Sequence, residues 1–329
     1  MSEITKGVPG DRPDGLFDEP DQFPDTFDES AASAEELSEF GVEARSQWKL
    51  VVRRFLRHRP AMISMFVLIF MFVLSFVGGS LWKYGHAEKI PGAFSLPPSW
   101  EHPFGTDEIG SDAFARVLRG ARTSLQVALA IAFLSTAFGT IVGAIAGFYG
   151  KWVDALLMRF TDLFLVLPSL VILLVVANRF SGTGSNTTAI MLLIAAFFWM
   201  PLARLVRGEI LSLKNREFIE AARAIGSSSS RIMFRHLVPN AIGTIIVYAT
   251  LAIASAILVE TALAFLGFGI QPPDVSLGKL VNAGVPASRT RWWLFYLPGA
   301  YLIIIVLAVN FVGDGLRDAL DPRQNKVRG

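Results

Sequence analysis

The chain has 329 residues, of which 52% are hydrophobic and only 18% charged. A soluble globular domain carries about 25% charged residues. Here the apolar excess is gathered into long uncharged runs, which points to a membrane protein. There is no cysteine, which excludes disulfides, thiolate metal sites and cysteine nucleophiles. The formal net charge of +2 conceals a polarity, because one end of the chain is strongly acidic.

That end is residues 1–45, with Asp11, Asp14, Asp18, Glu19, Asp21, Asp25, Asp28, Glu29, Glu35, Glu36 and Glu39. Such a segment buries too little apolar area to offset its ordering entropy, so it is expected to be a disordered acidic tail. A bare solvated tail and a regulatory or partner-binding one both fit. The N-terminus lacks a basic region followed directly by an apolar core, so no cleavable signal peptide is expected.

Residues 46–60 place Trp48, Val51, Val52, Phe55 and Leu56 at helical spacing against a basic face. That pattern suits a helix lying at a membrane interface, or an extension of the first span broken by Pro60. Spanning about 30 Å of hydrocarbon takes about 20 helical residues. Runs of that kind predict six transmembrane helices, at about 61–82, 123–149, 155–178, 183–204, 239–266 and 294–313. Their continuity, without period-two alternation, excludes a β-barrel. The expected fold class is therefore an all-α membrane protein.

Basic residues flank mainly one set of span ends, from Arg53, Arg54, Arg57 and Arg59 to Arg204, Arg207, Arg231, Arg235 and Arg317. The positive-inside rule then puts both termini in the cytoplasm. Within the second span, Gly139, Gly143 and Gly147 stand four apart, a small-residue seam for close helix packing. Pro168 and Pro201 interrupt the third and fourth spans, as kinks around a cavity or as ordinary bundle kinks. Glu260 is the main charge inside the fifth span. An ionisable residue there faces the bundle interior or a watery cavity, so it is either a structural hydrogen-bonding group or a substrate contact.

The inner loop 209–238 stands out for length and charge. Phe218, Ala222 and Ile225 form one apolar stripe. Arg216, Glu220 and Arg223 form a charged one, with a helix-supporting pair. Gly226 is placed to end this helix. The serines at 227–230 offer caps for a second helix up to His236, and Pro239 suits the first turn of the fifth span.

Glu220-Ala221-Ala222, Gly226, His236, Leu237 and Pro239, in that spacing, resemble the EAA loop of ABC importer permeases. His236 and the Asn240 that follows Pro239 resemble the oligopeptide, dipeptide and nickel branch. The outer-loop run His102, Gly105, Thr106, Asp107, Gly110 and Asp112 resembles a motif of the same branch. So do Glu260 through Gly269 with Pro272 and Pro273, and Gly313 through Pro322. Ser111, where the family more often has Arg, and Leu277, where Trp is frequent, depart from it.

This resemblance implies the type I importer permease architecture. It implies that the Glu220 helix, with Phe218, Ala221, Ala222 and Ile225, docks on an ATPase subunit. It also implies short peptides as substrate, with nickel chelates or haem as lesser options. The implied partners are a second homologous permease, two ATP-binding subunits carrying ATP and Mg, an extracytoplasmic binding protein, and the lipid bilayer. No nucleic acid is implied. Glu260, Pro272, Pro273, Pro168 and Pro201 are then candidates for the translocation path or its gate. The first outer loop is expected to form short helices, and the second to fold back as part of an outer gate.

The chain has no Gly-rich phosphate-binding loop and no His-Glu-x-x-His run. None of His58, His86, His102 and His236 pairs at metal-ligand spacing, so no metal site and no cofactor of its own is expected. A secondary peptide transporter would show inverted repeats and more buried charges. An intramembrane enzyme would need a catalytic constellation at span depth, which Glu260 alone does not supply.

Overall fold

The computed structural model describes residues 47–180 and 187–320. The tails expected at 1–45 and 323–329 lie outside the described residues. Among the described residues there is no β-strand, only a single bridge between Thr106 and Asp112.

The chain opens with α1, Gln47–Arg57. It breaks at His58, whose Nδ1 accepts from Ala61 N–H and caps the next helix. That helix, α2, spans Arg59–Leu81 with a π-helical stretch at Leu74–Gly78. Pro60 lies in its first turn, where a missing N–H costs nothing. Helix α3 is Ala113–Tyr149, α4 is Lys151–Val166, α5 is Ser169–Phe180 and α6 is Thr187–Leu213. The short α7, Glu217–Ala224, follows. Next, α8 begins as Ser229–Arg231, continues as a π-helix over Ile232–Leu237 and ends as Val238–Asn240. Helix α9 is Ile242–Phe265, α10 is Leu277–Gly284 and α11 is Trp293–Leu320.

Five of these, α2, α3, α6, α9 and α11, are long and apolar enough to cross a membrane. The sixth crossing is not one helix. Where a single span was expected at 155–178, α4 and α5 meet at an 82° bend. The cause is local: Leu167 precedes Pro168 and is extended, at φ −73° and ψ 139°, because the proline ring excludes the residue before it from the α region.

Pro201 behaves differently from expectation. It lies inside α6 without interrupting it. Proline removes the N–H that would bond the carbonyl four residues back, but a neighbouring hydroxyl can take up a carbonyl beside such a gap. Here the Tyr248 hydroxyl, on α9, donates to Phe198 O at 2.7 Å.

Several helices overrun their expected spans. Helix α3 begins ten residues before 123, α6 continues past 204, and α11 continues past 313. Charged residues such as Arg116, Arg119 and Arg207 end the hydropathy run but ride on helix surfaces without ending the helix.

Helices α3 and α6 form the most extensive pairing, and α9 and α11 pack beside them. The glycine seam sets the α3–α6 distance. A Cβ at Gly139 would lie 2.7 Å from Trp199 O, and one at Gly147 would lie 2.9 Å from Arg207 O. At Gly143 it would collide with Ala203 O and Val206. Large apolar side chains are exposed instead on the bundle's outside, such as Phe66 on α2, Leu163 on α4 and Ile303 on α11. An apolar surface of that extent suits hydrocarbon rather than water.

Gly143→Leu is expected to separate α3 from α6 and cost about 1–3 kcal/mol or more, as overpacking does. Gly208→Ala, in open space on α6, is expected to be neutral or stabilising by about 0.5–1 kcal/mol. Thermal unfolding of the two purified variants in the same detergent checks both.

Candidate functional site

Three places bring predicted residues together. The first is the end of the bundle that carries α7. Ile219 and Ala222 are buried on the inner face of α7, in a cluster with Ile232, Met233 and Leu237 of α8. The same cluster contains Ala144 of α3, Leu202, Val206 and Ile210 of α6, and Ile245 of α9. The expected stripe of Phe218, Ala222 and Ile225 is therefore split. Ala222 points inward, and the outward apolar residues are Phe218, Ala221 and Ile225, the last 82% exposed. A helix flanked by small residues on two faces carries two candidate stripes, and Ile219 decides which one is buried. Glu217, Glu220 and Arg223 share the outward surface. The pair expected between Glu220 and its arginines does not form among the described residues.

The end of α7 is closed by backbone geometry. Gly226 adopts φ +77°. Its N–H donates to Arg223 O at 2.9 Å, and that of Ser227 donates to Ala222 O at 3.0 Å. This is the Schellman arrangement, which needs a left-handed residue. Ser228 caps α8 by accepting from Arg231 N–H. Pro239 lies in the last turn of α8, not in α9, and the chain re-forms its helix after Ala241. The π-helical stretch precedes it, and the His236 carbonyl accepts from Asn240 Nδ2 at 2.5 Å.

Two ion pairs tie α4 to the same end of α6. Arg207 holds Asp154 through two nitrogens, and Arg204 holds Asp162. Lys214 adds a bond to Gly147 O at 3.1 Å. No motif marks these pairs in sequence. The only signal is that Asp154 and Asp162 interrupt otherwise apolar surroundings, as Arg204 and Arg207 do.

The second place is a groove of about 310 Å³ at the α4–α5 bend. Phe164, Leu167, Leu170, Phe198, Pro201 and Tyr248 contribute to its wall. Of the predicted path residues only Pro201 lines it. Pro168 forms the bend beside it, between the lining residues Leu167 and Ser169.

The third place is the opposite end. The first outer loop forms no helix among the described residues; it is a knot of turns capping α3. Asp112 is fully buried. Its Oδ1 accepts from Ala115 N–H at 2.7 Å and from Trp82 Nε1 at 3.2 Å, and its Oδ2 bonds His102 Nδ1 at 2.7 Å. Asp107 accepts from Ile109 and Ser111 N–H and pairs with Arg116. Thr106 Oγ1 accepts from Leu96 N–H at 2.8 Å, and Thr106 O accepts from Trp293 Nε1 at 3.3 Å. Gly105 and Gly110 have positive φ, and a Cβ on either would strike a backbone carbonyl. Nearby, Lys83 Nζ and the Tyr84 hydroxyl bond Glu101 and pull its carboxyl down to about 2.

Glu260 belongs to this end. It is 1% exposed and does not line the groove at the α4–α5 bend. Ser124 Oγ donates to its Oε2 at 3.5 Å while accepting from Leu277 N–H at 3.1 Å, and its Oε1 is buried with no hydrogen-bond partner among the described residues. Glu260 thus joins α9, α3 and the start of α10. The second outer loop folds back as α10, with Leu277, Leu280 and Val281 buried and Asn282 Nδ2 donating to Ala264 O at 2.8 Å. Pro272 and Pro273 lie exposed in the turn before it.

Together, the helical bundle, its lipid-suited exterior and its two elaborated ends define a multi-pass α-helical membrane protein. The chain belongs to the family described as binding-protein-dependent transport system inner membrane component, whose model matches residues 139–326. Residues 46–98 match a second model, the N-terminal transmembrane domain of oligopeptide transport permease C. The chain is 43% identical to the oligopeptide transport system permease protein OppC of Mycobacterium tuberculosis strain H37Rv over 286 residues, 87% of this chain and 98% of that protein. It is 43% identical to a putative peptide permease protein of Brucella suis over 275 residues, 82% and 89% of the two chains. The Haemophilus influenzae OppC is 38% identical over 292 residues, covering 88% and 93%. The protein is thus an ABC importer permease subunit, one chain of a multi-subunit transporter.

Replacing Asp112 by Ala removes the α3 cap and strands His102 and Trp82. The expected loss is about 2 kcal/mol or more, one cap plus one unpaired buried donor. Asp112→Asn, which still caps, should lose less. Chemical unfolding followed by tryptophan fluorescence reads the difference.

Proposed function

We propose that this chain forms half of the translocation path of an ATP-driven peptide importer, with both termini and α7 in the cytoplasm. The observation that carries the reading is α7 itself. Its inner face is held by residues of α3, α6, α8 and α9, while Phe218, Ala221 and Ile225 stand outward beside Glu217, Glu220 and Arg223. A helix fixed underneath and apolar on top is suited to dock in a groove of an ATPase subunit and to hand that subunit's movement to the bundle. Exposed Phe218 and Ile225 provide contact area; the charges set register.

Two ATP-binding subunits would hold ATP and Mg, and this chain would bind neither. A second homologous permease would complete the path, and an extracytoplasmic binding protein would deliver peptide to the end that carries the Asp112 knot. Oligopeptides are favoured as substrate because the OppC and peptide permease relatives align over most of their length. Within the chain, Arg204 and Arg207 carry the movement of α6 to α4, and the bend at Leu167–Pro168 turns it into a change in the groove beside Pro201 and Tyr248.

The test is ATPase activity of the complex purified through a tag on this chain, in lipid nanodiscs, with binding protein and peptides. Glu220→Arg with Gly226→Pro is expected to lose the ATP-binding subunits or abolish peptide-stimulated turnover. Phe218→Asp with Ile225→Asp, which touches only exposed residues, should do the same without loss of thermal stability. A chain that purifies alone and moves peptides down an ion gradient without ATP would establish the secondary-transporter reading instead. Stimulation by nickel chelates or haem but not by peptides would reassign the substrate.

Asp154→Asn with Asp162→Asn is expected to leave ATP-binding subunits attached while lowering peptide uptake per ATP hydrolysed severalfold. Unchanged coupling in proteoliposomes would remove α4 from the transmission route.

A further inference from the structure

The junction of α1 and α2 plays no part in the coupling surface, the groove or the outer knot, yet it is the most one-sidedly charged place in the described chain. Helix α1 is pinned rotationally. A Cβ at Gly315 of α11 would lie 3.3 Å from the Phe55 ring, and His58 Nε2 lies 3.5 Å from Asp318. With Phe55 turned to α11, Lys49, Arg53 and Arg57 share another face at four-residue spacing, and all three are exposed. No aspartate or glutamate occurs between Ala44 and Ala87. Among the described residues none of these three cations, nor Arg59, has a carboxylate within ion-pair distance.

Helix α2 follows directly with an exposed strip of different chemistry. Arg59, Ile63, Phe66, Phe70 and Val73 recur at steps of three and four, and every one of them is exposed. Ile63 to Val73 spans about 15 Å at 1.5 Å per residue. That is about half of a 30 Å hydrocarbon core, the depth of one leaflet. The arrangement is a cation-rich head over an apolar strip one acyl chain long.

We infer that the α1–α2 junction binds an anionic phospholipid of the cytoplasmic leaflet, its phosphate held by Arg53, Arg57 and Arg59 and its acyl chain lying along Ile63, Phe66 and Phe70. The inference rests on the cytoplasmic placement given above. Charge complementarity selects an anionic occupant, and the continuity of the cations with a leaflet-deep apolar strip selects a lipid over a protein. The bound lipid fixes α1 against the membrane and so holds the α11 end that Phe55 and His58 touch.

The test is native mass spectrometry of the full-length chain, with whatever subunits accompany it, released from nanodiscs of mixed phosphatidylcholine and phosphatidylglycerol. Wild type should retain phosphatidylglycerol above its share of the bilayer. Arg53→Gln with Arg57→Gln and Arg59→Gln should cut that enrichment by at least about fivefold, the weight of a single basic residue near an anionic surface. The matching Arg→Lys triple variant should keep it, which separates charge from folding. Lys89→Gln with Arg289→Gln, exposed at the opposite end, should leave it unchanged. Excess inorganic phosphate should not displace the lipid.

Equal enrichment in wild type and the Gln variant would overturn the proposal, as would displacement by free phosphate. So would a wild type without enrichment whose Gln variant loses an accompanying subunit, since the cations would then serve a protein. The ratio of retained lipids does not depend on ATP coupling, so it stands or falls separately from the transport reading.

Discussion

The bundle depends on the approach of α3 to α6. Gly139, Gly143 and Gly147 leave no room for a side chain, so backbone meets backbone over two turns. In a bilayer the hydrophobic effect does not drive helices together, because lipid is as apolar as leucine. Close van der Waals packing must supply the association, and small residues permit it. With α3 and α6 locked, the remaining helices have a fixed surface to pack on. The cluster beneath α7 is assembled from both of them, and the ion pairs to α4 start from α6 at the level of the seam.

The same pairing explains why the chain's charges are where they are. Arg207 O lies against Gly147, and its side chain reaches across to Asp154. Arg204 reaches Asp162 in the same way. A carboxylate and a guanidinium facing each other near the end of a span share the cost of leaving water. They also tie an arm that otherwise exposes Leu156, Phe160 and Leu163 to its surroundings. At the opposite end the polar groups are organised differently. Asp112, His102, Ser124 and Glu260 are buried and bonded mainly to main chain, hydroxyls and ring nitrogens.

Much of this was legible in sequence. The apolar runs located the spans, because hydropathy reports what hydrocarbon will accept. Gly226 marked the end of α7 because a left-handed residue there is sterically almost confined to glycine. The glycine seam showed its period without any structural help. Other features were hidden for identifiable reasons. Ala221 and Ala222 are chemically the same, and only the burial of Ile219 tells which faces in. Helix α10 was obscured by the prolines around it. Pro201 and Pro168 look alike in sequence, yet only Pro168 breaks its helix; beside Pro201 the Tyr248 hydroxyl, from a residue distant along the chain, bonds the Phe198 carbonyl. Asp154 and Asp162 found partners on another helix, which no local pattern could announce.

The outer knot has a mechanical corollary. Asp112 bonds Trp82 from the end of α2, Thr106 bonds Trp293 from the start of α11, and Asn282 bonds the last turn of α9. The far ends of α2, α3, α9 and α11 are thereby stitched into a single plate, and their near ends converge around α7 and Gly315. Two plates joined by stiff rods can twist or shear, but they cannot easily drift apart. Helix α6 is tied to the same plate by Thr187, whose hydroxyl donates to Asp274 at 2.9 Å while Asp274 also pairs with Arg119 of α3. Among the described residues, the crossing left outside this frame is α4 with α5, and it alone carries a sharp elbow. If the near plate were pushed as proposed above, the angle of that elbow is the corner where the frame would give while the rest stayed square.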